Sequence, residues 1–387
     1  MAALENCPPL TRSSVVAAHE LIKSHVHLTP VLTNSTLSKL ASTPQALEGT
    51  RWAGAEPAKP VIRLWFKCEN LQRIGAFKAR GAFHAVERLK RDEKWVEEGG
   101  MEKGVVSHSS GNHAAALALA ARESGIPAHI VMPDISAPPK IAATKGYGAN
   151  VVFSGSTSQE REAVAQKVIE KTGARFVPPF NHPDIMLGQG TLGLEFQEQV
   201  EQLQAVHQNG VSAAAAAANG DAKKKRTGLD VIITPCGGGG MLSGVALSCE
   251  GTGITVFGAE PEYQGADDGK RGFEAGKRIE SVKTLTIADG LRTQIGEIPW
   301  SVIYERRLVR QMFNVTEEEI VAALRLVLER MKVVVEPSAV VPLAVVLFNE
   351  DFRRLVEQEA GEAGRDVGVV FSGGNVALEQ LGKLFTS

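Results

Sequence analysis

Three stretches of the 387-residue chain bring together the residue types that bind small anions. Each runs from an apolar segment, through a turn of glycine and small polar residues, into a helical pattern. They are SHSSGNHAAALALAA (107–121), TPCGGGGMLSGVAL (234–247) and VVFSGGNVALEQL (369–381). In open α/β sheets such turns fall at the carboxyl ends of strands, where ligands bind. Three of them in one chain predict a single shared crevice. The run Gly237-Gly238-Gly239-Gly240, followed by Met241, is the most distinctive. Four residues without side chains let successive backbone N–H groups converge on one anion at a helix N-terminus. The run lacks the Gly-Lys-Ser/Thr ending of a nucleoside-triphosphate loop and the GxGxxG spacing of a dinucleotide site. A lone phosphate group is the better match, with tight helix–sheet packing as the alternative.

KCENLQRIGAFKARGAF (67–83) adds an amine. Lys78 follows Phe77 at a loop-to-helix junction, among Gly75, Ala76, Ala79, Gly81 and Ala82. Small neighbours leave room for a flat ligand, with Phe77 as a wall. A partly desolvated lysine loses basicity and becomes a Schiff-base nucleophile or general base. Taken alone, the stretch also reads as an exposed helix face, with Lys78 beside Arg73 and Arg80. At the first turn, Ser109, Ser110, Asn112 and His113 offer hydroxyl and N–H groups suited to a carboxylate, and Asn112 suits a phenolic oxygen. Ordinary serine capping is the competing reading there and at Ser372-Gly373-Gly374-Asn375.

The elements needed to position these turns are legible. VIRLWF (61–66), GVVSH (104–108), AHIVM (128–132), NVVF (150–153), DVIIT (230–234), ITVFGA (254–259) and VGVVF (367–371) read as strands. Most are β-branched and apolar on both faces, as parallel strands covered by helices are. Segments such as AALALAAR and IVAALRLVLERM carry helical spacing between them, the latter opened by a Thr316/Glu319 capping box. The alternation predicts an α/β chain with parallel sheets. Residues 42–60 and 207–228 read as surface insertions without chemistry. The second holds six alanines and Lys223-Lys224-Lys225-Arg226, which reads as a solvated loop ahead of a nuclear address or an acidic-partner site.

Composition removes whole classes. Hydrophobic residues at 43% and charged residues at 22% support two or three buried cores rather than disorder. A net charge of −2 gives no general attraction for nucleic acid or an anionic membrane. The four cysteines, Cys7, Cys68, Cys236 and Cys249, have no CxxC and no histidine at metal spacing. This excludes a disulfide scaffold or zinc finger and suggests a reducing compartment. With no signal-like N-terminus and no apolar run of ~18 residues, the expectation is a cytoplasmic enzyme.

An amine, a monophosphate cradle and polar turns around one crevice fit pyridoxal 5′-phosphate. The chain resembles the fold-type II pyridoxal-phosphate enzymes of the serine/threonine dehydratase group, and within them most resembles the eukaryotic serine racemases. The likeness runs through HLTPVLTNSTL (27–37), KCENLQRIGAFKARGA, SHSSGNH, GQGTLGLE (188–195), GGGGMLSG, GAEP (258–261), TIADGL (286–291), ERMKVVVEPSA (329–339) and FSGGN. It implies two open parallel-sheet α/β domains like the tryptophan synthase β fold, with the cofactor between them. The small mobile substrate domain would span 104–181, and the large domain 1–103 and 182–387.

The resemblance also implies roles. Lys78 would hold the cofactor, Phe77 flank it, and Asn112 bond its 3′-oxygen. Gly237 through Gly240 with Met241 would bind its phosphate, and Ser372 would face its ring nitrogen. Lys78 and Ser110 would be the acid–base pair on opposite sides of the substrate. Ser109, Ser110, Asn112 and His113 would surround the substrate carboxylate, and Arg161 would reach its side chain or a second carboxylate, if it is not a solvated helix charge. Glu260, the Ala266 carbonyl and Asp268 would bind Mg²⁺ or Ca²⁺, with two residues inserted in PEYQGADD (261–268). A surface acidic turn is the alternative. A homodimer is implied. ATP activation is tied to the positions of Asn34, Ser35, Arg73 and Ile74, the last two of which depart from the racemase pattern. Ala76 and Ala114-Ala115 are further departures, and FNHPDI (180–185) is closer to the dehydratases. The expected activity is serine racemisation with elimination to pyruvate and ammonia. A dedicated serine, threonine or threo-3-hydroxyaspartate ammonia-lyase is the near alternative. A β-replacement synthase and a non-catalytic binding paralogue stand further off.

Overall fold

The computed structural model describes residues 6–109, 111–136, 138–215 and 228–386. Ten strands lie in them: β1 (Val31–Thr33), β2 (Ile62–Cys68), β3 (Val105–His108), β4 (Ala128–Pro133), β5 (Asn150–Ser154), β6 (Arg175–Phe176), β7 (Val231–Pro235), β8 (Thr255–Pro261), β9 (Gln311–Val315) and β10 (Arg365–Phe371). They form two sheets, a six-stranded one in the order β1-β2-β10-β7-β8-β9 and a four-stranded one in the order β5-β4-β3-β6. All pairings are parallel except β1 on β2.

The apolar-on-both-faces strands of the large sheet are covered on both sides. Leu64, Phe66, Ile233, Phe257 and Phe371 face the helix Pro337–Phe348, whose Val340, Leu343 and Val346 are fully buried. Trp65, Ile232, Val256 and Val370 face Leu192 and Phe196 of the helix Pro183–Ala215, and Leu242 and Val245 of the helix Gly240–Cys249. Each fully buried side chain of this size contributes about 1.5–3 kcal/mol, so both faces hold the sheet. None of the four cysteines is in a disulfide. Among the described residues no helix is long and apolar enough to cross a membrane.

The core of the small sheet is not confined to its own strands. Val105, Ile130 and Met132 pack with Ala116, Leu117 and Ala120 of the helix Asn112–Glu123, and with Ala79, Phe83 and Val86 of the helix Lys78–Leu89. The helix starting at Lys78 is therefore packed onto the helix starting at Asn112. A buried ionic cluster fixes it from the other side. Arg80 bonds Glu69 (2.7 Å) and Glu195 (2.7 Å), and Lys67 bonds Glu195 (2.8 Å), all nearly without solvent contact. Buried charges are tolerated only when paired this completely.

Segment 42–60 crosses the outside of the large unit, tethered by Trp52 Nε1 to Asp351 (2.8 Å) and Arg51 Nη2 to the Asn314 carbonyl (3.2 Å). Leu47 and Ala58 are buried there. Of segment 207–228, residues 216–227 lie outside the described residues.

Candidate active site

Lys78 is the first residue of its helix, at the point where the chain crosses from the β10 side of the large sheet. Three contacts fix that crossing. Ala76 bridges to Gly373, the Phe77 N–H donates to the Ser372 carbonyl (3.0 Å), and the Gly374 N–H donates to the Gly75 carbonyl (2.9 Å). The turn before it is strained: Ile74 sits at φ 60°, a left-handed conformation disfavoured for a β-branched residue. Asn375 holds it there by donating from Nδ2 to the Ile74 carbonyl (2.8 Å). The Lys78 side chain ends on the Pro179 carbonyl, with Nζ donating at 2.6 Å. Burial pushes its ammonium down to about 8.

Beyond Pro179 the chain turns over the glycine loop. That loop follows β7 and opens the helix Gly240–Cys249, with Gly239 at φ 82°. A side chain on Gly238 would collide with the Phe180 ring. Among the described residues no acceptor receives the N–H groups of Gly237 through Leu242. Six unpartnered donors at a helix start form a cradle for an anion. Because Pro179 and Phe180 are adjacent, the Lys78 amine and the cradle lie beside one another. Asp289-Gly290-Leu291 closes the far side, the Gly290 carbonyl lying 3.0 Å from where a Gly237 Cβ would stand.

Asn112 is the first residue of the helix Asn112–Glu123. Its Oδ1 accepts from Asn375 Nδ2 (2.8 Å), and its Nδ2 donates to Glu336 (3.1 Å). Burial, then the nearby Asp289, raise Glu336 to about 7. No acceptor among the described residues takes the N–H groups of Asn112 and His113. Ser109 Oγ accepts the Gly111 N–H (3.3 Å). The His113 ring turns away from this opening: it is buried, and Nε2 meets the Val177 carbonyl at 3.2 Å. Burial and Lys78 push it down to about 3, so it stays neutral. Only its backbone N–H remains available to a carboxylate. Ser110 lies outside the described residues. Arg161 stands in the first turn of the helix Ser158–Thr172, close enough to His108 at the end of β3 to lower its basicity together with burial. Lys140 on the small-sheet side pairs with Asp289 at 2.6 Å.

Glu260, at the end of β8, and Asp268, at the start of the helix Asp268–Ala275, form a separate buried pair. Glu260 accepts the N–H groups of Gly269 and Lys270 (both 2.9 Å), and Asp268 accepts that of Ile295 (2.9 Å). Burial and the Asp268 carboxylate raise Glu260 strongly; burial raises Asp268 to about 7. Ala266 is buried in the connecting turn. Between the two carboxylates the chain makes the turn Tyr263–Gly265, where Gln264 takes φ 51°.

Four contributors escaped the sequence reading: Pro179, Phe180, Glu336 and Asn375. Glu336 and Asn375 lie inside stretches that carried the resemblance, and Pro179 and Phe180 lie outside them. The roles of all four depend on contacts with residues distant in sequence, such as Lys78 with Pro179 at 101 positions and Gly238 with Phe180.

A flat phosphorylated aldehyde matches this arrangement, because an amine of lowered basicity adjoins a cradle that a Cβ would fill. The family model described as pyridoxal-phosphate dependent enzyme matches residues 50–373. The chain is 38% identical over 376 residues to a serine racemase of Arabidopsis thaliana, covering 97% of this chain and 96% of that one. It is 36% identical to the L-threo-3-hydroxyaspartate ammonia-lyase of Saccharomyces cerevisiae, covering 97% and 96%. Its fold is similar to the solved structure of maize serine racemase, with a TM-score of 0.77 and 36% identity over 96% of each chain. With its amine and cradle on adjoining segments, and a match spanning both sheets, the chain belongs to the pyridoxal-phosphate dependent enzyme family.

Proposed function

We propose that the chain is a serine racemase that also eliminates water from serine, giving pyruvate and ammonia. The observation that carries this is the placement of the Lys78 amine, lowered to about 8, next to the unpartnered N–H groups of Gly237–Leu242. Pyridoxal phosphate, when bound, delocalises the electron pair left on a substrate's α-carbon.

This chain's residues supply the rest. The glycine loop and Met241 hold the phosphate, and Phe77 lines the ring. Asn112, oriented by Glu336 and Asn375, bonds the 3′-oxygen. Ser372 presents a hydroxyl to the ring nitrogen; a neutral donor stabilises positive charge there less than a carboxylate does, which suits elimination. Ser109 and the N–H groups of Asn112 and His113 hold the substrate carboxylate. Lys78, half deprotonated near pH 8, takes the α-proton on its side. Ser110 is assigned the proton transfer from the other side. When the β-hydroxyl departs instead, elimination follows. Closure of the 104–181 unit over the substrate would exclude water. In support, its four strands pair only with one another, and Lys140–Asp289 joins the two sides at the crevice.

Glu260, the Ala266 carbonyl and Asp268 are assigned to Mg²⁺ or Ca²⁺. Two buried carboxylates of raised proton affinity, Glu260 by burial and the Asp268 charge and Asp268 by burial, suit a hard divalent cation. A homodimer is expected, since Leu28, Leu71 and Val334 expose half or more of their surface around the Asn70–Val334 contact. Arg73, at one of the positions implied for ATP, is engaged by Glu123 (2.8 Å).

Incubating holoenzyme with L-serine and measuring D-serine and pyruvate tests the reading. Both products are expected; pyruvate alone makes the chain a dedicated ammonia-lyase. Arg161, at the His108 end of β3, and the yeast relative favour 3-hydroxyaspartate as the substrate of that second reading. Faster turnover of L-threo-3-hydroxyaspartate than of L-serine would establish it.

A further inference from the structure

A cavity of about 330 Å³ is lined by residues on both sides of Pro179 and Phe180, from Arg175 to Pro178 and at His182 and Asp184. Cys7, Arg88, Arg91, Arg175, His182 and Asp184 line it. Cys7 precedes the first helix, Arg12–Ile22, and 175 residues separate it from His182, so no sequence spacing relates the two. In the fold, Cys7 Sγ lies 3.8 Å from His182 Nε2, and His182 Nδ1 lies 3.8 Å from Asp184 Oδ2. One donor atom from each of the three falls within 4.8 Å of the other two. Asp184 Oδ1 is buried and no hydrogen bond reaches it, its cation neighbour being Arg88 Nε at 3.5 Å.

We propose that Cys7, His182 and Asp184 form a transition-metal site of the Zn²⁺ class, with its fourth position open to the cavity. Tetrahedral Zn²⁺ at its usual bond lengths sets sulfur, nitrogen and oxygen donors roughly 3.3–3.6 Å apart, a modest contraction of the distances present. Thiolate and imidazole select such a metal over Mg²⁺ or Ca²⁺, which the Glu260–Asp268 pair suits. The protons balance as follows. His182 Nδ1 accepts the Asp184 backbone N–H at 3.2 Å, so the neutral ring carries its proton on Nε2. Metal capture at Nε2 moves that proton to Nδ1, which gives up the Asp184 N–H, and one Asp184 carboxylate oxygen ligates. The Cys7 thiol gives its proton to solvent, so one proton is released for each metal bound. Three ligands with two negative charges neutralise the metal, and the bordering arginines then favour an anion at the fourth position: hydroxide, chloride or a carboxylate.

Such a metal ties the N-terminal segment to the stretch whose Pro179 carbonyl holds Lys78. Holoenzyme loaded with Zn²⁺ and stripped of loose metal by gel filtration should retain a metal ion that Cys7→Ser loses, as counted by elemental mass spectrometry. Zn²⁺ should also slow alkylation of Cys7, followed on its peptide, by roughly ten-fold or more. Asp184→Asn should weaken retention; if that variant fails to fold, Cys7→Ser and the alkylation rate decide. Equal retention by wild type and Cys7→Ser, or alkylation unchanged by Zn²⁺, would overturn the site. Neither readout uses turnover, so failure here leaves the active-site reading untouched.

Discussion

Lys78 Nζ donates a 2.6 Å hydrogen bond to the carbonyl of Pro179. The contact joins the helix that carries the amine to the segment that lies over the phosphate cradle. A neutral carbonyl steadies the ammonium far less than a carboxylate would, so burial decides the amine's basicity.

That environment sets how the cofactor is captured. In cofactor-free protein the rate of reaction with pyridoxal phosphate should rise with pH up to about 8 and level off above it, since only the unprotonated amine attacks. An ordinary lysine would keep gaining to about 10.4. Stopped-flow absorbance over pH 6.5–10, roughly the span between those limits, separates the two. Continued climb above pH 9 would place Lys78 in solvent.

Gly238→Ala should damage cofactor retention without unfolding the chain. The new methyl meets the Phe180 ring and must push it off the loop. Overpacking of this kind costs about 1–3 kcal/mol, or roughly 5- to 150-fold in cofactor affinity if it falls on the bound form. Equilibrium dialysis with pyridoxal phosphate measures it; wild-type affinity would show that Phe180 does not cover the cradle.

Glu336 should leave a mark on the pH dependence of stability. Its carboxyl is raised to about 7 by burial. Between the ordinary carboxylate range and pH 7, the folded chain holds a proton that the unfolded chain has lost. Stability from this group therefore falls as pH rises through that window and is flat above it. Glu336→Gln keeps an acceptor for Asn112 and removes the titration, worth about 3 kcal/mol for this shift. Melting curves from pH 4.5 to 8 should diverge between wild type and variant; parallel curves would contradict the assignment.

Much of this was legible in the chain because local pattern and tertiary role coincide. The seven apolar runs read as strands are β2, β3, β4, β5, β7, β8 and β10, and Thr316 and Glu319 form the expected capping box. β1 and β6 were missed because three- and two-residue strands leave no period to detect. In β9, QMFNV, polar Gln311 and Asn314 interrupt the apolar run. The glycine loop was visible because its chemistry is backbone and local. Glu336, by contrast, looks like any helix-capping acid until the fold sets it against Asn112, 224 residues away. At His113 the fold separates two groups that the motif does not: the ring meets the Val177 carbonyl, while no acceptor among the described residues takes the backbone N–H.

Divalent cations should stabilise the chain through Glu260 and Asp268. Adding Mg²⁺ or Ca²⁺ should raise the melting temperature by a few degrees, since about 100-fold saturation over Kd is worth about 2.7 kcal/mol. Glu260→Gln should abolish the response, while Cys7→Ser should retain it. A response that survives Glu260→Gln would move the cation elsewhere.

The account stands most directly on the covalent partner of the cofactor. Borohydride reduction of the holoenzyme, followed by peptide mass mapping, should place a single phosphopyridoxyl group on Lys78, in the peptide bounded by Arg73 and Arg80. A group on another lysine, or no group on any peptide, would contradict it.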